Sequence, residues 1–394
     1  MQDRIKVLMI AHQSSMISGF NMSNLAILKR LGCDVVVAAN FYGAHLPEGI
    51  QDGFRTKLHD MGIETVNLDF GRGMGKFGTN IDIIKRLKSL HRKHSFHMVH
   101  VHSALAGVLT RYAFRNMPIR MIYTAHGFQF FKGGRWKDWV LYYPIEKYLS
   151  KYTNALVTIN QEDTLLAKRR LRCDQVVQLP GVGIDWHTLS SIPRDAESKS
   201  KAKTKHGFNS GDTVIVCVGE LIARKNQLSV IRAVSQVPDI SLHCVFCGTG
   251  EMLGELRKTS VELGVSERMH FVGYTDIKPY LQLADIAILV SLREGLGLAG
   301  LEAMAAGLPL IASNLGGIRD YLDNGASGFS VENPLSVSEI EKAIRHICKL
   351  PDEEIQTIAS HNVDLAKRFD VASSDSIMES LYQMELRRIR QVAT

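Results

Sequence analysis

Short β-branched runs alternate with helical patterns along this chain of 394 residues, and the alternation occurs twice. In the first half, the runs predicted to be strands are Ile5–Ala11, Val35–Ala39, Thr65–Leu68, Met98–Val101, Met121–Ala125 and Leu156–Ile159. After a polar, lysine-rich stretch at residues 190–210, they are Thr213–Val218, Leu242–Phe246, Met269–Val272 and Ile286–Val290. Strands that alternate with helices form parallel sheets covered by helices on both faces. The sequence therefore predicts an α/β fold with two doubly wound domains.

The polar stretch sets the predicted domain organisation. We expect an N-terminal domain over residues 1–185 and a C-terminal domain over residues 186–372, joined near residues 181–210. A helical pattern from Val337 to Arg390 is longer than a cap on the second sheet requires, so residues 373–394 are expected to cross back to the first domain. Because doubly wound sheets bind ligands beyond the carboxyl ends of their strands, two such domains facing each other would enclose a ligand cleft.

Several common sites are missing from the sequence. The segment Ile10–Gly19 lacks the G-x-G-x-x-G pattern of dinucleotide-binding dehydrogenases, and no G-x-x-x-x-G-K-[ST] phosphate loop occurs. Cys244 and Cys247 lie in an apolar strand pattern without a second ligand pair, so we expect reduced core cysteines rather than a metal or redox site. The chain starts with a strand pattern instead of a secretory signal, and no apolar run approaches the roughly 18 residues that span a bilayer. We therefore expect a cytoplasmic protein whose contact with a membrane is peripheral.

Charge is divided unevenly between the two halves. Residues 1–180 contain 25 lysines and arginines against 13 aspartates and glutamates, whereas the remainder contains 22 against 27. The basic residues between positions 111 and 151 are interleaved with the aromatic residues Trp136, Trp139, Tyr142, Tyr143 and Tyr148. Such a mixture suits nucleic acid or an anionic membrane surface, and a solvated basic face is the plain alternative. Charge alone leaves these three interpretations open.

The most informative segment is residues 291–309, which follows the predicted strand Ile286–Val290. It turns on two glycines and enters a helix, whose free amides at its N-terminus form an anion site. Glu294 lies on the turn, and Glu302 follows eight positions later, about two helical turns further. Carboxylates at this spacing can contact two hydroxyl-bearing groups on either side of a diphosphate. Alternatively, Glu302 is a solvated helix residue and Glu294 balances the charge of Arg293.

This segment, E-G-L-G-L-A-G-L-E-A-M-A-A-G-L-P, resembles the signature of the retaining family-four glycosyltransferases. The resemblance extends over nearly the whole chain and includes Pro180–Asp185, Val218–Gln227, Phe246–Glu251, Phe271–Tyr274 and Gly316–Asp320. A narrower similarity, to enzymes of bacterial exopolysaccharide and capsule assembly, is carried by Tyr123–Phe128 and Tyr142–Tyr148. The resemblance implies the GT-B fold, in which two doubly wound Rossmann-like domains face each other across a cleft.

The resemblance implies donor-binding roles for Gly19, Arg224, Lys225, Gly248, Thr249, Gly250, Tyr274, Gly295, Leu296, Gly297 and Glu302. Glu294 would act in catalysis by contacting hydroxyls of the transferred sugar, and Glu302 would hold the ribose. Amides at the helix start would bind the distal phosphate. Arg224 and Lys225 match the basic pair that neutralises the diphosphate as the leaving group gains negative charge. This chain has Glu220 where the family often has arginine, so Arg224 is expected to supply the second positive charge.

The first domain contributes a second group of residues. Gly19 would let the backbone approach the donor phosphate. His126 matches the family's cleft histidine and is implied to act in catalysis, with a satisfied core histidine as the alternative. Arg72, His102 and Asn160 are further candidates for acceptor binding, and Asn160 is equally interpretable as a turn residue.

Retaining transfer in this family is described as front-face attack, in which the departing phosphate takes the proton of the acceptor hydroxyl and no protein nucleophile is needed. No Asp-x-Asp occurs in the chain, so no metal or other cofactor is expected. The resemblance implies transfer of a hexose or N-acetylhexosamine, most often from a UDP-sugar, to a polyprenyl-diphosphate-linked saccharide at the inner face of the cell membrane. The expected partners include an anionic membrane surface and no nucleic acid. A nucleotide-sugar epimerase of the same fold and a non-catalytic partner subunit are the alternatives.

Overall fold

The computed structural model describes residues 4–42, 48–71, 75–238 and 241–392, and the chain divides into two units. Unit 1 comprises residues 1–183 and 372–394, and unit 2 comprises residues 184–371. Each unit is built on one parallel sheet with helices packed against it, which confirms the predicted α/β fold with two doubly wound domains.

In unit 1, the strands of the described residues are β1 (Lys6–Gln13), β2 (Asp34–Asn40), β3 (Glu64–Asn67), β4 (Met98–His102), β5 (Arg120–Ala125), β6 (Ala155–Thr158) and β7 (Gln175–Gln178). The helices are α1 (Ser14–Phe20), α2 (Met22–Arg30), α3 (Glu48–Asp60), α4 (Phe77–His94), α5 (Ala104–Phe114), α6 (Trp136–Ser150) and α7 (Gln161–Arg170). The sheet order is β3-β2-β1-β4-β5-β6-β7. The order reverses between β1 and β4, so the loops after these two strands diverge at the ligand-binding edge of the sheet.

In unit 2, the described strands are β8 (Thr213–Val218), β9 (Leu242–Cys247), β10 (Met269–Gly273), β11 (Ile286–Leu289), β12 (Leu310–Ser313) and β13 (Gly328–Val331). The helices are α8 (Trp186–Ser190), α9 (Ala196–Lys205), α10 (Gln227–Ser235), α11 (Leu253–Glu262), α12 (Lys278–Leu283), α13 (Leu298–Ala305), α14 (Val337–Ile347) and α15 (Asp352–Ala366). The sheet order is β10-β9-β8-β11-β12-β13, with the reversal between β8 and β11. Short 3₁₀ helices lie at Ala223–Lys225, Ser266–Arg268, Gly316–Asp320 and Lys367–Phe369.

The last helix, α16 (Val371–Val392), packs on the sheet of unit 1. Met378, Leu381 and Leu386 lie in the same hydrophobic core as β1 and β2. Tyr382 is buried beside them, and its hydroxyl lies 2.6 Å from His100 Nδ1. Glu385 is fully buried and pairs with Arg120 on β5. The helix therefore completes the core of unit 1 from the far end of the chain.

The polar stretch before β8 is more ordered than its composition suggests. Residues 196–205 form α9, and Lys203 Nζ lies 2.9 Å from Asp285 Oδ2, just before β11. Lys199 also pairs with Asp285, and Arg194 donates to the carbonyl of Ala284 at 3.0 Å. These ion pairs and hydrogen bonds attach the stretch to unit 2. The boundary between the two units therefore lies before the stretch, between residues 183 and 184.

Candidate functional site

In unit 2, the loops that follow β8 and β11 leave neighbouring strands at the same edge of the sheet. A doubly wound sheet binds ligands at the point where its strand order reverses, which is here between these two strands. Leu292 N donates to the carbonyl of Arg224 at 2.8 Å, and Asn226 Nδ2 donates to the carbonyl of Val290 at 3.0 Å. These bonds tie the two loops together, so that residues predicted for the donor site become neighbours.

Glu294 lies at the centre of this arrangement. Its side chain is 8% exposed, and Lys225 Nζ lies 2.7 Å from Oε1. Ser291 Oγ donates to the same oxygen at 2.7 Å, and Arg224 Nη1 lies 3.6 Å from Oε2. Arg224 Nη1 also donates to the carbonyl of Arg293 at 2.7 Å. Two cations therefore surround one carboxylate, which leaves a net positive charge suited to an anionic ligand.

Glu302 lies on α13 and is partly buried, which argues against a solvated helix residue. Burial raises its pKa, and the positive charge of Lys225 acts in the opposite direction. Lys225 is thus electrostatically linked to both carboxylates of the predicted pair, although it contacts only Glu294.

The turn into α13 depends on glycine at several positions. Gly297 has φ 83° at the N-cap, and Tyr321 donates its hydroxyl to the carbonyl of Gly297 at 2.9 Å. A Cβ on Gly316 would lie 2.4 Å from the carbonyl oxygen of Glu294, and one on Gly317 would lie 2.1 Å from that of Gly295. Close backbone packing therefore fixes Gly295, Leu296 and Gly297 at the start of α13, and the N-terminus of a helix favours a phosphate.

The loop at residues 248–250 packs against the loop after β8. A Cβ on Gly248 would lie 2.0 Å from the carbonyl oxygen of Gly219, and Leu221 N donates to the carbonyl of Thr249 at 2.8 Å. A Cβ on Gly250 would similarly lie 2.2 Å from the carbonyl oxygen of Leu221. These glycines allow backbone to approach backbone. Tyr274 is 70% exposed beyond the end of β10.

In unit 1, the two predicted histidines meet after β4 and β5. His102 Nδ1 lies 3.2 Å from His126 Nε2, and burial lowers the pKa of His126 to about 4 and that of His102 well below its usual range. Both rings are therefore neutral near pH 7, so one of these two nitrogens donates its hydrogen to the other. His102 Nε2 is buried with no hydrogen-bond partner among the described residues. The pair lines a small polar cavity together with Asn21, Asn24 and Asp375.

In the same sheet, His100 is a core histidine whose two ring nitrogens both have hydrogen-bond partners. Its Nδ1 lies 2.6 Å from Tyr382 Oη and its Nε2 lies 2.8 Å from Thr124 Oγ1. Burial lowers the pKa of His100 to about 3. Since both of its nitrogens are occupied by the protein, His100 has a packing role, unlike His102 with its unused nitrogen. The V-H-V-H pattern in β4 places both histidines on one face, because side chains in a strand alternate.

The remaining predicted residues of unit 1 lie in different settings. Gly19 lies within α1, where a Cβ would meet no atom within 4 Å, so the protein itself does not require glycine there. Asn160 is buried and caps α7 by accepting from Asp163 N at 2.7 Å. Asp163 Oδ2 accepts from Phe128 N at 3.1 Å, so this cap supports the loop that carries His126. Arg72 lies outside the described residues.

Sequence reasoning missed the side chains that hold the site in place. Ser291 and Tyr321 position Glu294 and Gly297, and Asn226 reaches the carbonyls of both Val290 and Pro334. No periodicity or charge pattern marks such long-range contacts. Within the described ranges, no group of three or more His, Cys, Asp or Glu residues is placed to hold a metal ion.

Comparison with known proteins assigns a family to this arrangement. Residues 25–180 match glycosyltransferase family 4, and residues 198–362 match the family described as glycosyl transferases group 1. The chain is 33% identical over 334 residues to EpsD of Bacillus subtilis, which is named as a glycosyltransferase, and the match covers 83% of each chain. It is 28% identical over 320 residues to the UDP-Gal:alpha-D-GlcNAc-diphosphoundecaprenol alpha-1,3-galactosyltransferase of Escherichia coli, covering 77% of this chain and 81% of the relative.

Solved structures agree on the fold. Sucrose-phosphate synthase from Thermosynechococcus elongatus superposes with a TM-score of 0.78 at 18% identity, covering 98% of this chain and 100% of that one. Anabaena HepE in complex with UDP-glucose gives a TM-score of 0.76 at 19% identity, covering 96% and 100%. The chain therefore belongs to the glycosyltransferases, with a family 4 domain followed by a group 1 domain on the GT-B fold.

Proposed function

We propose that this glycosyltransferase moves a hexose or N-acetylhexosamine, with retention of configuration and without a metal, from a UDP-sugar to a polyprenyl-diphosphate-linked saccharide. The observation that carries this proposal is the group formed by Arg224, Lys225 and Glu294 at the strand-order reversal of unit 2. The Escherichia coli relative, whose name includes a UDP-sugar donor and a diphosphoundecaprenol acceptor, supports the two substrate classes. A role in bacterial exopolysaccharide or capsule synthesis is proposed on the narrower sequence similarity carried by Tyr123–Phe128 and Tyr142–Tyr148.

The basic pair, Arg224 and Lys225, would bind the diphosphate of the donor. Negative charge grows on the leaving diphosphate as the bond to the sugar breaks, and fixed cations stabilise that charge without reorganising. The amides at the start of α13 would add hydrogen bonds to the distal phosphate. Once Lys225 pairs with the diphosphate instead of with Glu294, the carboxylate of Glu294 can accept hydrogen bonds from the hydroxyls of the sugar.

Retention would follow from attack on the face that the nucleotide leaves. Glu294 is a poor nucleophile because Lys225 and Ser291 hold its Oε1 and little of the side chain is exposed. The pKa values of His126 and His102 favour their neutral forms, so these rings would position an acceptor hydroxyl by hydrogen bonds. The departing phosphate would take the proton of that hydroxyl.

The acceptor would be presented at the cytoplasmic face of the membrane. On α6, Trp136 is 70% exposed and Val140 is 65% exposed. The described residues include no helix that is both long and apolar enough to cross a membrane. Exposed apolar and aromatic side chains among lysines suit peripheral binding to anionic lipid, at roughly 1 kcal/mol for each basic residue near the surface.

The test of this function combines purified protein with UDP-sugars and a lipid-linked saccharide in vesicles. We expect UDP release that depends on the acceptor and a product whose new anomeric linkage has the configuration of the donor, as read by nuclear magnetic resonance. An inverted product would exclude front-face transfer. Transfer to free saccharides alone, with none to lipid-linked ones, would exclude the proposed acceptor class.

The membrane surface is tested separately by sedimentation with vesicles of graded anionic lipid content. The charge-reversal variant carries Lys137→Glu, Lys147→Glu and Lys151→Glu on or next to α6. A control variant reverses Lys258, Lys278 and Lys349 in unit 2. We expect salt-sensitive binding of wild type and the control, and loss in the α6 variant. Equal binding of all three proteins would remove α6 as the docking surface.

A further inference from the structure

An apolar pocket lies in unit 1 between α5, α6 and the loop after β5. Its volume is about 170 Å³, and its walls include Leu105 and Val108 of α5, Phe128 and Phe130 of the loop, and Ile145 of α6. An apolar cavity of about 150 Å³ stays dry and binds a hydrocarbon of the size of benzene. The pocket is therefore suited to a small hydrocarbon group.

The charged groups next to this pocket are already neutralised. Glu146 lies in the pocket wall, and its carboxylate accepts two hydrogen bonds from the fully buried Arg111, at 2.5 and 2.9 Å. The guanidinium carbon of Arg111 lies 4.2 Å from the centroid of the Tyr123 ring, which also lines the pocket. A ligand here would meet a paired carboxylate and an aromatic ring, so the chemistry of the wall disfavours an anionic ligand group inside the pocket.

Two sequence segments meet in this wall. Tyr123–Phe128 contributes Tyr123, Gly127 and Phe128, and Tyr142–Tyr148 contributes Tyr142, Ile145 and Glu146. Neither segment supplies a residue of the donor group in unit 2. Gly127 directly follows His126, and Ala104, which also lines the pocket, is the second residue after His102. The pocket therefore begins beside the histidine pair.

The apolar walls continue to the surface along both helices. On α5, Tyr112 lies four residues after Val108 and is 42% exposed. On α6, Leu141 and Tyr148 flank Ile145 at helical spacing and are also exposed. Residues three or four apart share a helix face, so each wall extends outward as an apolar track.

Cations accompany the outer end of this track. The guanidinium carbon of Arg115 lies 3.9 Å from the centroid of the Tyr112 ring, and Lys151 Nζ lies 4.3 Å from that of Tyr148. Aromatic rings with cations at their faces suit the interface of an anionic leaflet. The track thus links the region of the histidine pair to a surface suited to lipid.

We propose that this pocket binds the isoprenoid chain of the lipid-linked acceptor, at its first isoprene unit beyond the diphosphate. The choice of an isoprenoid rests on the proposed function, whereas the apolar walls, the neutralised carboxylate and the track to the surface are independent of it. An isoprene unit is slightly smaller than benzene, so about one unit fits the pocket. The rest of the chain would follow the exposed residues of α5 and α6 into the membrane.

The test measures binding of farnesyl diphosphate and inorganic diphosphate to the full chain, with UDP present at saturation to occupy the donor site. We expect the isoprenoid to bind wild type at least about tenfold more tightly than inorganic diphosphate. Val108→Phe should fill the pocket and weaken the binding of farnesyl diphosphate by about tenfold in Kd, or about 1.4 kcal/mol. Val261→Phe makes the same change at an exposed position of α11 in unit 2, away from the pocket and the track, and should have no effect.

Ile145→Phe provides a second filling variant, and the melting temperature and UDP affinity of each protein check its folding. Equal affinity for the two diphosphates, or equal effects of Val108→Phe and Val261→Phe, would overturn the proposal. Displacement of farnesyl diphosphate by free N-acetylglucosamine would also overturn it, because the pocket would then be a sugar subsite. If isoprenoid binding depends on the pocket but no lipid-linked saccharide is glycosylated, the proposed function fails while the pocket assignment stands.

Discussion

Glutamine in place of Glu294 tests how the ion pair with Lys225 affects nucleotide binding. Glu294 Oε1 lies 2.7 Å from Lys225 Nζ, so an incoming diphosphate must compete with this carboxylate for the lysine. Glutamine keeps the size of the side chain and an oxygen that can accept from Ser291. The loop should therefore keep its shape while the competition ends. We expect Glu294→Gln to bind UDP at least as tightly as wild type.

The expected gain in UDP affinity depends on how exposed the Lys225 and Glu294 side chains are. A surface ion pair contributes about 0–1 kcal/mol, whereas close charge pairs in buried interfaces have coupling energies of about 1.5–7 kcal/mol. The Lys225 side chain is 15% exposed and that of Glu294 is 8% exposed, which places the pair between these cases. Because the diphosphate replaces the lost partner, we expect a gain of about 1 kcal/mol, or roughly fivefold in Kd. Transfer should fall roughly 10- to 100-fold, since the sugar loses a charged hydrogen-bond acceptor.

Calorimetric titration with UDP, in parallel with a transfer assay, separates the two effects. Glu302→Gln is the matched variant, because it makes the same chemical change on the proposed ribose ligand. It should weaken UDP by about tenfold, the value of one charge-assisted hydrogen bond. If Glu294→Gln weakens UDP as much as Glu302→Gln does, the assignment of the two carboxylates to sugar and ribose is refuted.

Excess chelator should leave transfer largely unchanged, and activity lost with chelator but restored by magnesium or manganese would contradict a phosphate site made of the basic pair. Burial lowers the pKa of His126 to about 4 and that of His100 to about 3, so the unfolded chain binds more protons than the folded one below about pH 6.5. The free energy of unfolding should therefore fall as pH drops from about 6.5 toward 4, by up to roughly 1.4 kcal/mol per pH unit for each histidine. Urea denaturation at several pH values measures this change. Equal stability at both ends of the range would contradict the prediction. Glu385→Ala removes the partner of the partly buried Arg120 and should destabilise unit 1 by about 3 kcal/mol. Glu379 forms a surface pair with Arg30, so Glu379→Ala should cost less than about 1 kcal/mol in the same denaturation assay.

The grouping of the residues proposed to bind the donor could be predicted from sequence because these residues lie in two short stretches. Glu294, the glycines of the turn and Glu302 lie within one short stretch, and the strand before them is apolar and β-branched. Arg224 and Lys225 follow another such strand. Carboxyl ends of parallel strands share one edge of a sheet, so strand prediction alone places both stretches together.

Three short strands, β7, β12 and β13, were missed. They have four residues each, and β7 is bounded by glutamines. A four-residue strand has little local signal: β3, β6 and β11 are equally short and were predicted, whereas these three were not. Their neighbours in the sheet decide their conformation, and that information is not local.

The residues proposed to contact the acceptor are brought together by contacts between distant segments. His102 and His126 meet because β4 and β5 pair with His102 beside Thr124. Arg111 and Glu146 pair across 35 residues, and this pairing neutralises one wall of the apolar pocket. Neither relation has a periodic signature in the sequence. Charge and aromatic content predicted an unusual surface in this half but could not locate a pocket within it.

Lys225 gives a reason for the donor's two ends to be recognised together. Its charge partly offsets the effect of burial on the pKa of Glu302, while its amino group contacts Glu294 directly. A diphosphate that attracts Lys225 moves its positive charge away from both carboxylates. Glu302 then needs hydroxyl donors from a ribose, and Glu294 needs them from a sugar. A complete nucleotide sugar supplies both, whereas free diphosphate supplies neither and leaves two partly uncompensated carboxylates. If Lys225 stabilises the leaving group as proposed, its availability therefore depends on an intact donor.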